Sequence, residues 1–210
     1  MPLQFEFNDA PRRHSFKCMV ASVRCTSVSA KTGVQCRNRS VIGSPICWQH
    51  LRTGYHLRVK TSTIAGAGKG LFVESPRPVA VRAVIFKAGD RIVQYYGDNV
   101  TNQTLNARYG DKTAPYGITI SAASDVYGDG ACRRGVGTLV NRPARGGAPN
   151  CRLSSVNRHG QHYAQIIATK PIRNGDELFA SYGADYRMNE PGVTYKTVQR
   201  RPPARQPYIV

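Results

Sequence analysis

From residue 56 onward, the sequence consists of short apolar runs that are separated by turn residues. Most of these runs alternate apolar and polar side chains, as strands with one buried face do. Glycines between residues 128 and 147 interrupt the chain so often that little room remains for long helices. The pattern predicts a mostly β fold with a helix at 101–108, capped by Thr101, and a turn at 132–140. The predicted strands are HLRVKTST (56–63), KGLFVES (69–75), DRIVQYYG (90–97), YGITISAA (116–123), CRLSSVNR (151–158), HYAQIIATK (162–170) and DELFASYG (176–183).

The 210 residues are enough for one main domain and a small appendage. The expected organisation is an N-terminal arm at 1–17 with a short strand at Leu3 to Phe7, a metal-binding module at 18–55, the main domain at 56–186 and a basic Pro/Arg-rich segment at 187–210. The chain lacks an apolar run of about 18 residues, and its first residues lack the apolar core of a signal peptide. We therefore expect an intracellular protein with no membrane span.

Thirty Lys and Arg residues stand against 12 Asp and Glu residues, which leaves a net charge of +18. Such a surplus favours polyanionic partners, because binding releases counterions from a phosphate backbone. Nucleic acid or a nucleosome is therefore an expected partner through the basic surface. The alternative is a solvated basic surface, or one that packs inside a ribosome-like particle.

Cys25, Cys36, Cys47 and His50 follow the spacing C-x10-C-x10-C-x2-H. Three thiolates and one imidazole form a closed tetrahedral zinc site, whose binding energy can fold a segment too short for its own core. The segment also resembles small Cys3His modules of nucleus-associated and large-virus proteins. The alternatives are buried thiols without a metal, or disulfide partners in an oxidising compartment. The remaining cysteines are expected to be free thiols: Cys18, Cys132 and Cys151.

Four blocks of the main domain follow one another in a characteristic order. They are GAGKGLFV (66–73), FKAGDRIVQYYGDNVT (86–101), GVGTLVNRPARGGAPNCRL (135–153) and AQIIATKPIRNGDELFASYGADY (164–186). Together they resemble the SET domain of protein-lysine methyltransferases, over about residues 60–186. The resemblance implies a β-clip fold of short curved sheets with few short helices and a C-terminal pseudoknot. It also implies S-adenosylmethionine as cofactor.

The resemblance implies a role for individual residues. The cofactor-binding residues would be Gly68, Lys69, Gly70, Asn141 and Arg142. The catalytic residues would be Tyr182 and Tyr95, with Tyr96 on the other face of the strand. The substrate pocket would contain Tyr116, Leu153 and Tyr186. Leu153 stands where some family members carry a tyrosine, which favours the transfer of more than one methyl group.

The sequence departs from the family pattern in two places. The N-H-S-C block reads Asn141-Arg142-Pro143-Ala144, and no cysteine follows Tyr186. The wall that a post-SET cysteine cluster forms elsewhere is therefore expected from MNEPGVTYKTV (188–198). A basic substrate needs a local acidic patch, for which the candidates are Asp98, Asp125, Asp129 and Asp185. The alternative for each aspartate is a solvated turn position.

The favoured hypothesis is a lysine methyltransferase that acts on a histone tail or on another nucleic-acid-associated protein. The expected location is the nucleus or chromatin, and the alternative is a virion or another particle. The alternative is a SET-fold scaffold with weak or no catalysis, which binds nucleic acid or a large assembly through its basic arms and zinc module. A third hypothesis makes the zinc module a sequence-specific DNA reader, although no recognition helix is evident.

Overall fold

Short antiparallel strands form most of the structure, a computed structural model that describes residues 3–10, 14–20, 23–41, 44–188 and 190–199. The strands in these residues are β1 Leu3–Asp9, β2 His14–Val20, β3 Leu57–Thr61, β4 Lys69–Val73, β5 Val84–Phe86, β6 Arg91–Tyr95, β7 Asp98–Val100, β8 Gly117–Ser121, β9 Val126–Asp129, β10 Cys151–Arg158, β11 Gln161–Ala168, β12 Ile172–Arg173 and β13 Val193–Gln199. The helices are α1 Trp48–Tyr55 and α2 Asn102–Tyr109, with a 3-10 helix at Val136–Leu139. The mostly β fold predicted from the strand runs is confirmed.

Both α-helices are short because local signals start and stop them. At the start of α2, the hydroxyl of Thr101 accepts the backbone N–H of Thr104 at 3.2 Å, as the sequence predicted. Helix α1 was not predicted; it ends at His56, which has a left-handed φ of 56°, and buries Leu51 in the core. Within the described residues, no helix has the length and apolarity that crossing a membrane requires.

Four small sheets surround the larger hydrophobic core. They are the hairpin β3-β4, the sheet β10-β11-β6, the pair β12-β5 and the sheet β7-β9-β8. Each contributes alternate side chains to a common interior, which includes Leu57, Leu71, Val93 and Ile166. The fold is thus assembled from many short sheets packed on one core.

The segment 176–183 lies between β4 and the chain around residues 141–151. Its backbone N–H groups donate to β4 at Leu71 on one side (Leu178, 2.8 Å) and to Asn141 on the other (Ala180, 2.9 Å). The prediction of a regular strand at DELFASYG (176–183) is wrong, because the segment forms two isolated β-bridges instead of a continuous ladder. Its hydrogen bonds are divided between two partners, so neither partner forms a continuous sheet with it.

Residues 3–9 and 14–17 belong to a sheet and not to a loose arm, and the short strand predicted at Leu3 to Phe7 is confirmed as part of β1. Strand β1 lies between β2 and β13 in a three-stranded antiparallel sheet, with seven paired positions on each side. The alternation in LQFEFND buries Phe5 and Phe7 completely, in a second core that also contains Tyr109. The expected boundary between residues 17 and 18 therefore falls inside β2. Residues 200–210 of the expected C-terminal segment lie outside the described residues.

Two of the cysteines expected to be free form a disulfide. Cys18 on β2 is bonded to Cys132, with Cα atoms 5.8 Å apart and a sequence separation of 114. The sequence does not reveal this pairing because only the packing of β2 beside the chain that follows β9 brings the two residues together. Cys151 is a buried free thiol, as predicted.

Candidate functional site

Two glycines are essential to the β3-β4 hairpin: Gly68 lies in its turn, and Gly70 lies in β4. Gly68 has a φ of +72°, and its carbonyl accepts the N–H of Ser62 at 2.9 Å. Nothing lies within 4 Å of the position that a Cβ would occupy at Gly68, so a ligand can approach the main chain there. At Gly70 a Cβ would collide with the carboxylate of Glu177. Glycine is therefore required by backbone conformation at the first position and by packing at the second.

Asn141 joins this turn to the segment 176–183. Its Nδ2 donates to the carbonyl of Lys69 and to Oε1 of Glu177, at 3.1 Å each. Its own carbonyl accepts the N–H of Ala180 at 2.9 Å. The structure thus brings the predicted cofactor-binding residues 68–70 and 141 into one place.

Glu177 is a site residue that the sequence analysis did not identify. Its carboxylate accepts hydrogen bonds from Ser62 Oγ (2.7 Å), Thr63 N (2.7 Å), Thr63 Oγ1 (2.6 Å) and Asn141 Nδ2 (3.1 Å). Burial opposes the charged form, but these hydrogen bonds outweigh burial and lower the pKa of Glu177. The signal was present, because Glu177 belongs to the Gly-Asp-Glu-Leu run of the fourth block.

Three tyrosine hydroxyls donate to main-chain carbonyls, and one of these carbonyls belongs to Val140, the neighbour of Asn141. Tyr182 donates to the carbonyl of Val140 at 3.0 Å, Tyr95 to Tyr116 at 2.9 Å, and Tyr186 to Pro115 at 3.0 Å. The predicted catalytic pair and two predicted pocket residues therefore meet in one cluster. Tyr96 is about half exposed, on the opposite face of the strand, as predicted.

Burial keeps these tyrosines in their neutral form. It raises the pKa of Tyr182 to about 12, even though a hydrogen bond from the backbone N–H of Arg142 favours the phenolate. Burial likewise raises the pKa of Tyr95 well above its ordinary value, helped by the nearby Tyr182. Neutral hydroxyls that already donate to carbonyls keep their oxygen lone pairs for another donor, such as an amine.

Aromatic side chains from separate parts of the chain contact the rings of the tyrosine cluster. The rings of Tyr182 and Tyr186 lie 4.8 Å apart, edge to face, and Tyr195 on β13 lies 6.5 Å from Tyr116. Phe5 on β1, which is completely buried in the second core, contacts Tyr116 at 5.9 Å. The segment 188–198 thus reaches the tyrosine cluster at Tyr195, and its role as a wall of the lysine channel stays a prediction.

Leu153, the remaining predicted pocket residue, lies on β10. It is paired with Ile166 of β11 and packs against the larger core. Its role in setting the number of methyl groups stays a prediction.

The predicted acidic patch is wrong at Asp129. This carboxylate is completely buried and accepts from Arg108 Nη1 (2.6 Å), Tyr109 Oη (2.9 Å) and the N–H of Ala131 (2.9 Å). Asp98 lies 3.9 Å from the same Arg108. The charge of Asp129 is used inside the fold because a buried carboxylate is stable only when it is paired.

The four predicted metal ligands meet in the N-terminal module. Their ligand atoms all lie within 4.8 Å of one another. Nδ1 of His50 is 3.4 Å from Sγ of Cys25 and 3.2 Å from Sγ of Cys47, which is 4.0 Å from Sγ of Cys36. Burial opposes the Cys25 thiolate, but hydrogen bonds from Ser27 and Cys47 outweigh it and lower its pKa to about 6. These separations and the thiolate fit a tetrahedral zinc ion with bonds of about 2.0–2.3 Å.

The family profile of the SET domain matches residues 80–183. These residues form a SET domain. The matched stretch contains Tyr95, Asn141 and Tyr182, while the turn at Gly68 precedes it and Tyr186 follows it. The β3-β4 hairpin lies outside the match but is hydrogen-bonded to its last segment through Leu71.

Solved structures with the same fold include subunits of a large complex. One is the polycomb repressive complex 2 of Chaetomium thermophilum, with 20% identity, a TM-score of 0.51, and coverage of 67% of this chain and 16% of that chain. Another is described as ctPRC2 in an autoinhibited conformation bound to S-adenosylmethionine, with 20% identity, a TM-score of 0.50, and coverage of 63% and 16%. The chain thus covers about a sixth of these neighbours, and the likeness shows the fold. No curated protein matches the chain.

Proposed function

We propose that this SET-domain protein is an S-adenosylmethionine-dependent protein-lysine N-methyltransferase. The observation that carries the proposal is the cluster of neutral tyrosine hydroxyls at Tyr95, Tyr182 and Tyr186, next to the Gly68 turn and Asn141. The open space beside Gly68 fits the cofactor, because its polar end can reach main-chain groups with no Cβ in the way. Lys69, Gly70 and Arg142 would complete this binding surface.

The reaction requires an aligned, neutral amine. When bound, S-adenosylmethionine supplies a methyl group on a sulfonium sulfur; the amine lone pair takes the methyl carbon, and the electron pair of the broken bond returns to sulfur. The aromatic walls at Tyr116 and Tyr186 exclude water from the lysine side chain, which lowers the pKa of its ammonium. The oxygen of Tyr182 can accept an N–H of the amine and so direct the lone pair along the transfer axis. The amine's proton leaves to solvent.

The substrate class follows from the surroundings of the tyrosine cluster. A cleft of about 360 Å³ begins at Tyr186 and Tyr195 and is also lined by Thr113, Arg187 and Glu190. It can hold the peptide on either side of the target lysine, with Glu190 as a carboxylate for a basic neighbour. A histone tail or another nucleic-acid-associated protein fits this cleft, and the proposed location is the nucleus or chromatin. That solved neighbours are polycomb complexes supports this choice.

We also propose that zinc, held by Cys25, Cys36, Cys47 and His50, has a structural role. All four positions for ligands are filled by protein, which leaves no open position for a substrate. Within the described residues of the module, Leu51 is completely buried, and it packs into the larger core of the main domain. Metal binding would therefore supply much of its folding energy.

The test is a pair of tyrosine substitutions. Tyr182→Phe removes only the hydroxyl that donates to Val140, whereas Tyr96→Phe removes the exposed hydroxyl on the opposite face of β6 and serves as the matched control. Calorimetry measures cofactor binding, and labelled-methyl transfer to nucleosomes measures activity. We expect micromolar binding, roughly −8 kcal/mol, for all three proteins. Transfer should fall about 100- to 1000-fold in Tyr182→Phe, the usual cost of one lost transition-state hydrogen bond, and stay unchanged in Tyr96→Phe.

The scaffold hypothesis is the second candidate, favoured by the block Asn141-Arg142-Pro143-Ala144 and the net charge of +18. It predicts that zinc-loaded, folded protein binds neither S-adenosylmethionine nor S-adenosylhomocysteine. Equal transfer by Tyr182→Phe and the native protein would refute the assigned role of Tyr182.

A further inference from the structure

A second cleft, of about 410 Å³, lies where α1 of the zinc module meets the β3-β4 hairpin. Its walls include Arg52 from α1, Lys60 from β3, Arg77 from the loop after β4, and the pair Asn174 and Gly175. This cleft shares no lining residue with the cleft beside Tyr186. It is therefore a separate concave site at the junction of the two parts of the molecule.

The charge of the cleft is strongly positive. Its lining contains three cationic side chains and a single carboxylate, that of Glu74. Glu74 already binds Arg58 Nη1 at 2.8 Å and Lys60 Nζ at 3.0 Å, and it lies 3.3 Å from Arg52 Nε. One carboxylate is thus shared among three cations, and Arg77 adds a further positive charge to the wall.

The hydrogen-bonding groups of the cleft are mainly donors. Arg52 uses its Nε and Nη2 on the carbonyl of Ser75, which holds the guanidinium in place and leaves Nη1 as a donor. The side-chain oxygen of Asn174 accepts the N–H of Ser75, which leaves its amide NH2 group as a donor. A preorganised, donor-rich and positively charged cleft is suited to an anion with several acceptor oxygens.

Further cations continue from the cleft along the hairpin. Arg58 and Lys60 are two residues apart on β3, so their side chains lie on one face of the hairpin, whereas Lys69 is paired with Thr61 and lies on the other face. Arg58 and Lys60 therefore extend the positive charge of the cleft along one face of β3. A linear chain of phosphates matches a line of cations better than a single small anion does.

We propose that this cleft binds a backbone phosphate of nucleic acid, and that the β3-β4 hairpin contacts the phosphates that follow. The whole chain has 30 basic and 12 acidic residues, and this net charge of +18 favours the same partner. The site places the bound nucleic acid at the junction of the zinc module with the SET domain. Binding there requires neither cofactor nor methyl transfer, so this proposal and the enzymatic one can fail independently.

The test compares two double substitutions by fluorescence anisotropy with a labelled DNA duplex. Lys60→Gln with Arg77→Gln removes two cations from the cleft. Arg152→Gln with Arg158→Gln removes two exposed cations from β10, which lines no part of the cleft, so the net charge changes equally. If each lost phosphate contact changes the salt slope by about 0.9, the slope of the cleft variant should be smaller than the native slope by about 1.8. Raising the salt from about 50 to about 200 mM should then weaken DNA binding by the variant about 12-fold less than binding by the native protein. The β10 variant should keep the native slope.

Two outcomes would overturn the proposal. One is the same loss of slope in both double variants, which would mean diffuse attraction by the whole surface. The other is binding of inorganic phosphate at the cleft with DNA affinity unaffected by Lys60→Gln and Arg77→Gln. Unchanged zinc content and unfolding midpoint would show that the variants are folded, and Arg77→Lys should restore most of the affinity lost at that position because it keeps the charge.

Discussion

Replacing Glu177 by glutamine should destabilise the fold and release Asn141. The carboxylate accepts four hydrogen bonds: two at Oε1 from Ser62 and Asn141, and two at Oε2 from Thr63. A glutamine can keep its oxygen toward Thr63, but its NH2 group then meets the Nδ2 donor of Asn141. Hydrogen bonds to charged groups contribute about 1.5–3 kcal/mol and neutral ones about 0.5–1.5 kcal/mol. Weakening the two Thr63 bonds and losing the Asn141 bond should therefore cost about 3.5–6 kcal/mol, while the Ser62 hydroxyl can turn to accept from the new NH2 group.

The cost of Glu177→Gln should depend on pH in one direction. The pKa of Glu177 in the folded protein is below its ordinary value of 4.5, because its hydrogen bonds outweigh burial. Its charge therefore contributes stability that is fully present above pH 4.5 and is lost as the pH falls through the folded pKa. The stability difference between native protein and variant should be largest near neutral pH and should shrink in acid.

Urea denaturation at about pH 7 and about pH 3.5 measures that difference. Calorimetry with S-adenosylmethionine at neutral pH then shows whether the release of Asn141 weakens cofactor binding. Asp185→Asn is the matched control, since Asp185 is an exposed acid in the same part of the chain and should change stability by less than about 0.5 kcal/mol. Two results would refute this account of the Glu177 hydrogen bonds: a loss of unfolding free energy below about 1 kcal/mol in Glu177→Gln, or a loss that is equal at both pH values.

Three further predictions concern the zinc module, the disulfide and the hairpin. Cys36→Ser should abolish stoichiometric zinc binding, measured by atomic emission, and chelation of the native protein should lower its unfolding midpoint; a midpoint insensitive to chelator would contradict a structural metal. Cys18→Ser opens a linkage across 114 residues and should lower the free energy of unfolding by about 2–4 kcal/mol in urea titrations, whereas a reductant that leaves the native midpoint unchanged would argue against the disulfide. Gly70→Ala places a Cβ against the Glu177 carboxylate and should cost about 1–3 kcal/mol. Gly54→Ala, in open space on α1, should be neutral or stabilising by up to about 1 kcal/mol, and equal effects of the two alanines would refute the packing argument.

Features that depend on neighbouring residues could be predicted from the sequence. The alternation of side chains identified most of the strands of the SET domain, and Thr101 marked the start of α2 because a cap interacts with residues only three positions away. The turn at Gly68 was predictable because it needs a backbone conformation that glycine adopts readily. The family resemblance of four ordered blocks indicated which tyrosines and which asparagine to place in the site, and the structure brings Tyr95, Tyr182 and Asn141 to it.

Other features depend on residues that are far apart in sequence, and only the tertiary structure decided them. Strand β1 became the centre of a sheet because β13, almost 190 residues later, pairs with it. The Cys18 to Cys132 disulfide and the aromatic contact between Phe5 and Tyr116 have the same origin. The role of Glu177 is long-range as well, since its donors at Ser62 and Thr63 lie more than a hundred residues earlier. Local patterns therefore determined which elements form and which residue types the site contains, while the long-range packing of those elements determined the walls of the site and the partners of its buried charges.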